Sequence, residues 1–418
     1  MKRDLPSLAN RVPVSLESSA RFFYLIDAIA SHNEPTQTQL NALESSYRST
    51  GDYLSECPEF VTLIQHIHPH GSRQLGTIIR PMDDTREGFD IDLVARLSND
   101  AMRKYGGENG ASLLLKNLGD VLSRYADAHG LGIRRWERCV TLEYAGGMCA
   151  DIAPIIDDPL FSVPFGETHG RIPDRKLQNY NSTNPRGYAK YFDRAASISP
   201  QYIAMESFAK AFDSIRAEVI PLSNQEEVFN RLLSRLVQLL KLHRNLTFSG
   251  EKTGQDISPT SIFVTSLAAI GYTENAPLPH HSPLDLLLDI VEGMPNYFKR
   301  VVSPDGSEEW ILSNPSALND NLASGMNTAI RQKAFLWWHT KLLNDLREIL
   351  NTIEQRLGMD MLLEKITTVF GERAAKAVEQ DELNRLDKQR KAGRVAIFTA
   401  GAMPVSVKAK SHTFFGQQ

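Results

Sequence analysis

Cysteine is scarce: Cys57, Cys139 and Cys149 are the only three in 418 residues. Their spacing offers no paired metal ligands, which argues against both a disulfide framework and a zinc module, and they read as reduced cytoplasmic thiols. No apolar run approaches the ~18 residues of a membrane-spanning helix. The start, Met1-Lys2-Arg3-Asp4, lacks the apolar core of a signal peptide. Charge of one sign is also missing. A net charge of −4 gives no global basic field, so a nucleic-acid partner is not implied. No internal repeat and no low-complexity tract is visible. No Ser-His-Asp or Cys-His arrangement suggests a protein nucleophile.

What remains is a globular composition, 42% hydrophobic and 23% charged, on a chain long enough for two lobes. Apolar residues Phe22, Phe23, Ile26, Ile29 and Ala30 recur at helical spacing and predict a helix over 14–32. Thr36 with Gln39 predicts a capping box opening a helix that runs to about Tyr53. A short helix is expected around Glu59–His66. Leu113, Leu114, Leu118, Val121 and Leu122 give the apolar face of a helix over 107–130. A strand is expected from Ile133 to Tyr144. Gly146-Gly147 marks a turn into a return strand, Met148–Ile156. Residues 164–175 read as loop, and Asn184-Pro185 as a turn into helix. Further helices are expected over 200–220, 225–245, 260–270, 284–294, 325–354 and 360–391, with a short hairpin or loop around Pro304-Asp305-Gly306. Trp337 and Trp338 read as core.

The chain is organised around Gly71-Ser72 and the later run Phe89-Asp90-Ile91-Asp92-Leu93. Glycine lets backbone N–H groups approach an anion, the serine hydroxyl adds a donor, and a helix opening there favours phosphate further. On a strand, Asp90 and Asp92 point to one face. Two carboxylates about 7 Å apart repel unless a cation lies between them. Mg²⁺ takes oxygen ligands and is commonly shared with substrate phosphates. A third acid, Asp151, sits on the return strand within Ala150-Asp151-Ile152-Ala153-Pro154.

Three acids beside a phosphate-binding turn fit two-metal nucleotidyl transfer, with two Mg²⁺ ions about 4 Å apart (Mn²⁺ as a substitute). Asp90 and Asp92 would hold both ions, and Asp151 would bind the second and help activate the attacking hydroxyl. Ser72 would hold the triphosphate, with Lys241 a second contact. The helix carrying Lys241 also shows Arg231, Arg235, His243 and Arg244, readable either as an anion site or as a solvated basic face. His66, His68 and His70 alternate before Gly71, but Pro69 interrupts them and the carboxylates supply the better metal site. Asp83 and Asp84 are read as loop residues. Ser258-Pro259 suits an N-cap followed by proline at the first helical position.

The run Gly71-Ser72-Arg73-Gln74-Leu75-Gly76-Thr77, then Asp90-Ile91-Asp92, then Asp151, resembles the polymerase-beta-like nucleotidyltransferases. Ile172-Pro173-Asp174-Arg175, Asn184-Pro185-Arg186-Gly187-Tyr188, Lys241 and Ser258-Pro259-Thr260-Ser261 resemble the bacterial cyclic oligonucleotide synthases, relatives of cyclic GMP–AMP synthase and oligoadenylate synthase. The resemblance covers roughly residues 14–360. It implies an α+β fold: a mixed-sheet nucleotidyltransferase lobe with N-terminal helices (1–200), a helical lobe (201–392) and an extended tail (393–418). It further implies catalytic and metal-binding Asp90, Asp92 and Asp151, nucleotide-binding Gly71, Ser72, Lys241 and Ser258, and nucleoside triphosphate substrates. The cellular role it implies is anti-phage (CBASS) defence, in which the cyclic product switches on an effector, with regulatory or tail-conjugating partner proteins. A zinc insertion like that of the animal DNA sensor is not recognisable. Two alternatives stay open: a transferase making linear oligoadenylate or modifying RNA or protein, and a catalytically silent interaction module.

Overall fold

The computed structural model describes residues 14–81, 89–144, 147–203, 206–207, 209–211, 231–250, 256–391, 394–397 and 405–408. Asp83 and Asp84, Gly146, most of the expected helix over 200–220, the expected helix start at 225, and most of the expected tail lie outside the described residues; Gln201 and Tyr202, expected as helix, are strand.

Helix α1 (Leu16–His32) is capped by Ser15, whose hydroxyl accepts from Ser18 N. Its apolar stripe is buried as expected. Helix α2 (Gln37–Glu56) opens with the reciprocal Thr36–Gln39 capping box. The next segment corrects the sequence: a turn leads into strand β1 (Ile64–His70), not a helix. The reason is tertiary, because β1 pairs antiparallel with β2 (Asp90–Leu97) along its length. Pro69 is accommodated because β1 lies at the edge of the sheet. Between the two strands sits the single turn of helix α3 (Gly71–Gln74).

After β2 come α4 (Ala101–Tyr105) and α5 (Gly110–His129). Leu114, Leu118, Val121 and Leu122 of α5 are buried as expected, whereas Leu113 faces solvent. The expected strand over 133–144 is instead a hairpin, β3 (Gly132–Arg135) and β4 (Val140–Glu143), closed by Trp136 N donating to Cys139 O. Strand β5 (Cys149–Asp157) runs antiparallel to β4 and parallel to β2. The segment read as loop after Pro164 holds a short helix α6 (Ser162–Phe165) and strand β6 (Gly170–Asp174), which pairs with β7 (Asn179–Thr183). The result is a mixed seven-stranded sheet, ordered β1-β2-β5-β4-β3 with β6 and β7 extending from β5. Its back face joins Ile91, Leu93 and Ala95 to the apolar side of α5. The alternation of β2 therefore leaves Asp90 and Asp92 on the opposite face.

Helix α7 (Pro185–Ala196) is capped by Asn184. Strand β8 (Gln201–Tyr202) precedes α8 (Leu232–Phe248) and α9 (Ser261–Asn275). Strand β9 (Pro279–His280) pairs with β8 and leads to α10 (Pro283–Gly293), then to the expected hairpin, β10 (Lys299–Val302) and β11 (Glu308–Ile311). The long helix α11 (Ala329–Glu354) buries Trp338 fully but leaves Trp337 exposed, so only one of the two tryptophans is core. The expected helix over 360–391 is two, α12 (Met359–Phe370) and α13 (Glu372–Lys391), broken at Gly371, whose φ is +91°. A small hairpin, β12 (Arg394–Ile397) and β13 (Val405–Lys408), follows.

Helix α1 packs Phe22, Phe23, Ile26 and Ile29 into the same core as Leu236, Leu239 and Leu240 of α8 and Leu342 and Leu346 of α11. The N-terminal helix thus belongs to the helical core, although it precedes the sheet in sequence.

Candidate functional site

The site lies where the polar face of the sheet meets α8 and α9. Asp90 and Asp92 lie two residues apart on β2, and Asp151 is the register partner of Asp92 on β5. On the other flank His70 is the register partner of Asp92. Burial pushes the Asp92 carboxyl up to about 6, with Asp151 and then Asp90 adding to the rise and Lys241 opposing it. Burial pushes His70 down to about 4 against the pull of Asp151, so it is a neutral neighbour. Burial, helped by Asp151 and Asp92, raises the Cys139 thiol to about 12, which leaves it unreactive.

Gly71 takes a left-handed φ of +59°. A Cβ there would stand 1.9 Å from Asp92 Oδ2, so only glycine lets the turn close against that carboxylate. Thr77 N donates to Ser72 O at 2.9 Å, and residues 77–81 form a strap bound to the helices. Lys241 Nζ donates to Thr77 O at 3.1 Å and to Thr77 Oγ1 at 3.2 Å. Gln238 Nε2 donates to Ile78 O at 3.3 Å, and Arg80 N to Asn33 O at 2.8 Å.

A cavity of about 570 Å³ opens among these elements. Gly71, Ser72, Asp90, Asp92, Gly147 and Lys241 line it, together with Ile78, Ile79, Arg80, Arg244, Asn245 and Ser261. It therefore gathers most of the expected residues. Two do not line it: Asp151, which lies beside Asp92 on β5 and accepts from Thr141, and Ser258. Ser258 does not line the cavity, and its hydroxyl instead donates to Asp256 Oδ1 at 2.6 Å. Nor does Ser258 cap the helix, since the N-cap of α9 is Thr260. Ser261, one turn further on, reaches the cavity.

Basic residues of α8 do not form a solvated face. Arg235 is buried against Asp27 at 2.8 Å and Glu34 at 2.8 Å, and His243 against Asp345 at 2.9 Å. Lys241 is buried too, only 6% exposed. Neither it nor Arg244 makes an ion pair among the described residues. Burial, then Arg244, push Lys241 down to about 8, with Asp92 opposing. Burial pushes Arg244 down to about 10, with Asp256 opposing. Two desolvated cations that make no ion pair among the described residues thus share one cavity with Asp90 and Asp92. An anion on one side and a cation on the other would complement these charges.

Three carboxylates on adjacent strands are the oxygen donors that a hard divalent cation takes. Burial and the neighbouring carboxylates that raise Asp92 are both offset by such a cation, so the residues present fit one. Among the described residues no three His, Cys, Asp or Glu side chains already stand together as a finished ligand set. Asp151 is turned to accept from the Thr141 hydroxyl, and Asp92 packs against Gly71.

Sequence reading missed Asn245 and Ser261 as cavity residues and left Arg244 open between an anion site and a solvated face. Their signal was present in part: Lys241, Arg244 and Asn245 stand at i, i+3 and i+4 on one helix, a single face.

An acid-bearing mixed sheet facing a helical core across a cavity of about 570 Å³ is the arrangement of the nucleotidyltransferase fold. Residues 25–195 match the Second Messenger Oligonucleotide or Dinucleotide Synthetase domain. No curated protein matches the chain by sequence. Among solved structures, the chain is similar to CdnG, a CD-NTase of Bradyrhizobium diazoefficiens, in complex with GTP. That similarity has a TM-score of 0.57 at 17% identity and covers 86% of this chain and 98% of that one. It is also similar to CdnC of E. coli MS115-1 with ATP, at a TM-score of 0.53 and 15% identity, covering 84% of this chain and 98% of that one. The same CdnC in a complex with HORMA-deltaN gives a TM-score of 0.52 at 15% identity, covering 84% and 97%. The chain is therefore similar over residues 25–195 to the second-messenger synthetase domain, and it shares its fold with the CD-NTases.

Proposed function

We propose that the protein joins nucleoside triphosphates and closes them into a cyclic di- or trinucleotide, releasing pyrophosphate at each step, as a signal in anti-phage defence. The observation that carries this reading is the charge arrangement of the cavity. Asp90, Asp92 and Asp151 lie on one sheet face, and Lys241 and Arg244, without carboxylate partners among the described residues, lie on the facing helix.

In the reading, the ribose hydroxyl oxygen of one nucleotide attacks the α-phosphorus of another. The new P–O bond forms as the bond to pyrophosphate breaks, and the hydroxyl proton leaves to the Asp151 carboxylate or to water. Asp90, Asp92 and Asp151 would hold two divalent cations, Mg²⁺ by preference, which when bound supply neutralising charge at the α-phosphoryl and pyrophosphate oxygens. The chain's own groups do the positioning. The α3 turn presents backbone N–H groups and Ser72 to the triphosphate, and Lys241 adds a point charge from the opposite wall. Thr141 holds the Asp151 carboxylate in place. GTP and ATP in the similar structures favour purine triphosphates as substrates, and the HORMA-deltaN complex favours a regulatory protein partner.

The test is a product assay. Purified protein is incubated with all four nucleoside triphosphates and Mg²⁺, treated with phosphatase and analysed by mass spectrometry. A phosphatase-resistant mass of two or three nucleoside monophosphates, less the corresponding waters, supports the reading and gives the bases. Linear, phosphatase-sensitive products replace it with the oligoadenylate-like alternative. An absence of nucleotide binding in the presence of Mg²⁺ replaces it with a silent module.

A further inference from the structure

Arg244 makes more hydrogen bonds inside the cavity wall than a charge-supplying residue needs. Nε donates to Asn245 Oδ1 at 3.1 Å and Nη2 donates to the same oxygen at 2.7 Å. Nη1 donates to Ser261 Oγ at 2.8 Å and to Pro259 O at 3.1 Å. One planar guanidinium thus ties α8 to the start of α9 and grips two side chains that both line the cavity.

The chemistry of those bonds has a direction. A guanidinium donates and never accepts. Asn245 must therefore present its carbonyl oxygen to Arg244, which leaves the Nδ2 amide, a pure donor, for a ligand. Ser261 Oγ spends a lone pair on Arg244, which leaves its O–H to donate elsewhere. Two side chains that can each donate or accept are set as donors by one residue. Ser261 is also the first residue of α9, a fifteen-residue helix, so its backbone N–H has no partner within the helix. Donors gathered beside the buried ammonium of Lys241 suit a polyphosphate, which offers only acceptors.

We propose that Arg244 is a positioning residue: its fork sets Asn245 Nδ2 and Ser261 Oγ as hydrogen-bond donors to the polyphosphate of the bound nucleoside triphosphate. This rests on the cavity being the triphosphate site. Charge alone does not perform the task, because a lysine ammonium cannot make the four bonds in two directions that the planar fork makes.

The test measures Mg²⁺-dependent binding of a nonhydrolysable nucleoside triphosphate and of inorganic tripolyphosphate. The proteins are the full-length wild type, Arg244→Lys, the Asn245→Ala/Ser261→Ala double variant, and the triple combination, with KM and kcat taken for the same set. Arg244→Lys keeps the charge and is expected to weaken binding of both ligands about tenfold, the loss of one charge-assisted hydrogen bond. KM rises with kcat nearly unchanged. The double variant, at partly exposed positions, is expected to show a similar loss. In the triple variant the losses do not multiply, because Arg244 acts through the two residues already removed. Multiplying losses, or an Arg244→Lys protein that binds like wild type, overturn the positioning role while leaving the triphosphate site standing. A merely structural role would lower the unfolding temperature and leave the affinity of the folded protein unmoved. Wild-type protein that binds neither ligand overturns the site reading itself. Should Arg244→Lys fail to fold, the double variant decides alone: unchanged affinity there overturns the proposal.

Discussion

Asp92 and Asp151 face each other in register across the parallel β2–β5 pair. Burial disfavours ionisation of Asp92, and the Asp151 carboxylate on the neighbouring strand adds to the effect, raising the Asp92 carboxyl to about 6. A raised carboxyl value means that the folded chain holds this proton to higher pH than the unfolded chain does. The stability it contributes is present below the ordinary carboxylate range and is lost as pH rises toward and through about 6. At neutral pH without a cation the site therefore costs folding energy.

That cost gives the first prediction. Asp90→Asn combined with Asp92→Asn abolishes turnover yet stabilises the metal-free protein by about 1–3 kcal/mol at neutral pH. Mg²⁺ raises the unfolding temperature of the wild type and not of the double variant. Denaturant titration with and without Mg²⁺ checks both halves. Retained turnover, or an equal Mg²⁺ response in the variant, removes these two residues from the metal site.

Gly71 carries the second prediction. Gly71→Ala places a methyl group where Asp92 Oδ2 now lies and puts a side chain at φ +59°. The left-handed backbone costs about 1–2 kcal/mol, which a chain of this size tolerates. The displaced carboxylate costs far more in function, so the folded variant loses nearly all product formation. Circular dichroism beside the product assay separates the two effects.

Lys241 is tied to Thr77 rather than to a carboxylate. Lys241→Ala is expected to weaken nucleoside triphosphate binding roughly ten- to hundredfold, the loss of one charge-assisted contact. Calorimetric titration measures this directly. An unchanged affinity would confine Lys241 to holding the strap.

Arg235 gives a prediction about folding alone. Its guanidinium is buried against Asp27 and Glu34 and also reaches Gln238, which holds the strap at Ile78. Burial already pushes the Asp27 carboxyl up against the pull of Arg235. Arg235→Ala strands that charge and should cost about 3–5 kcal/mol. Asp27→Asn should cost less, since it removes the charge rather than its partner. Urea unfolding of the two variants ranks them, and the reverse order would sink this account.

Local patterns in the chain were enough to expose the acids and the turn. Asp90 and Asp92 share a face because strand side chains alternate, whatever else the chain does. Gly71-Ser72 reads as an anion turn because only glycine tolerates the backbone it needs. The capping box at Thr36 and the stripe of α1 are likewise fixed by spacing. Where the reading failed, a partner distant in sequence was the reason. Residues 59–66 read as helix, yet from Ile64 onward the chain pairs with β2 as strand. Leu113 lies next to Leu114 in sequence but on the solvent side of α5.

The helical wall of the cavity shows the same division most sharply. The sequence by itself determined that α8 is basic on several positions and that a serine-rich turn opens the next helix. It did not determine which charges are spent. Arg235 is paired with Asp27 and Glu34, which lie 208 and 201 positions away, His243 is hydrogen-bonded to Asp345, and Ser258 is taken by Asp256. Only the tertiary structure left Lys241, Arg244 and Ser261 facing the acids. Charges and hydroxyls act through short-range contacts, and which contacts are made depends on how helices from opposite ends of the chain pack, not on residue order.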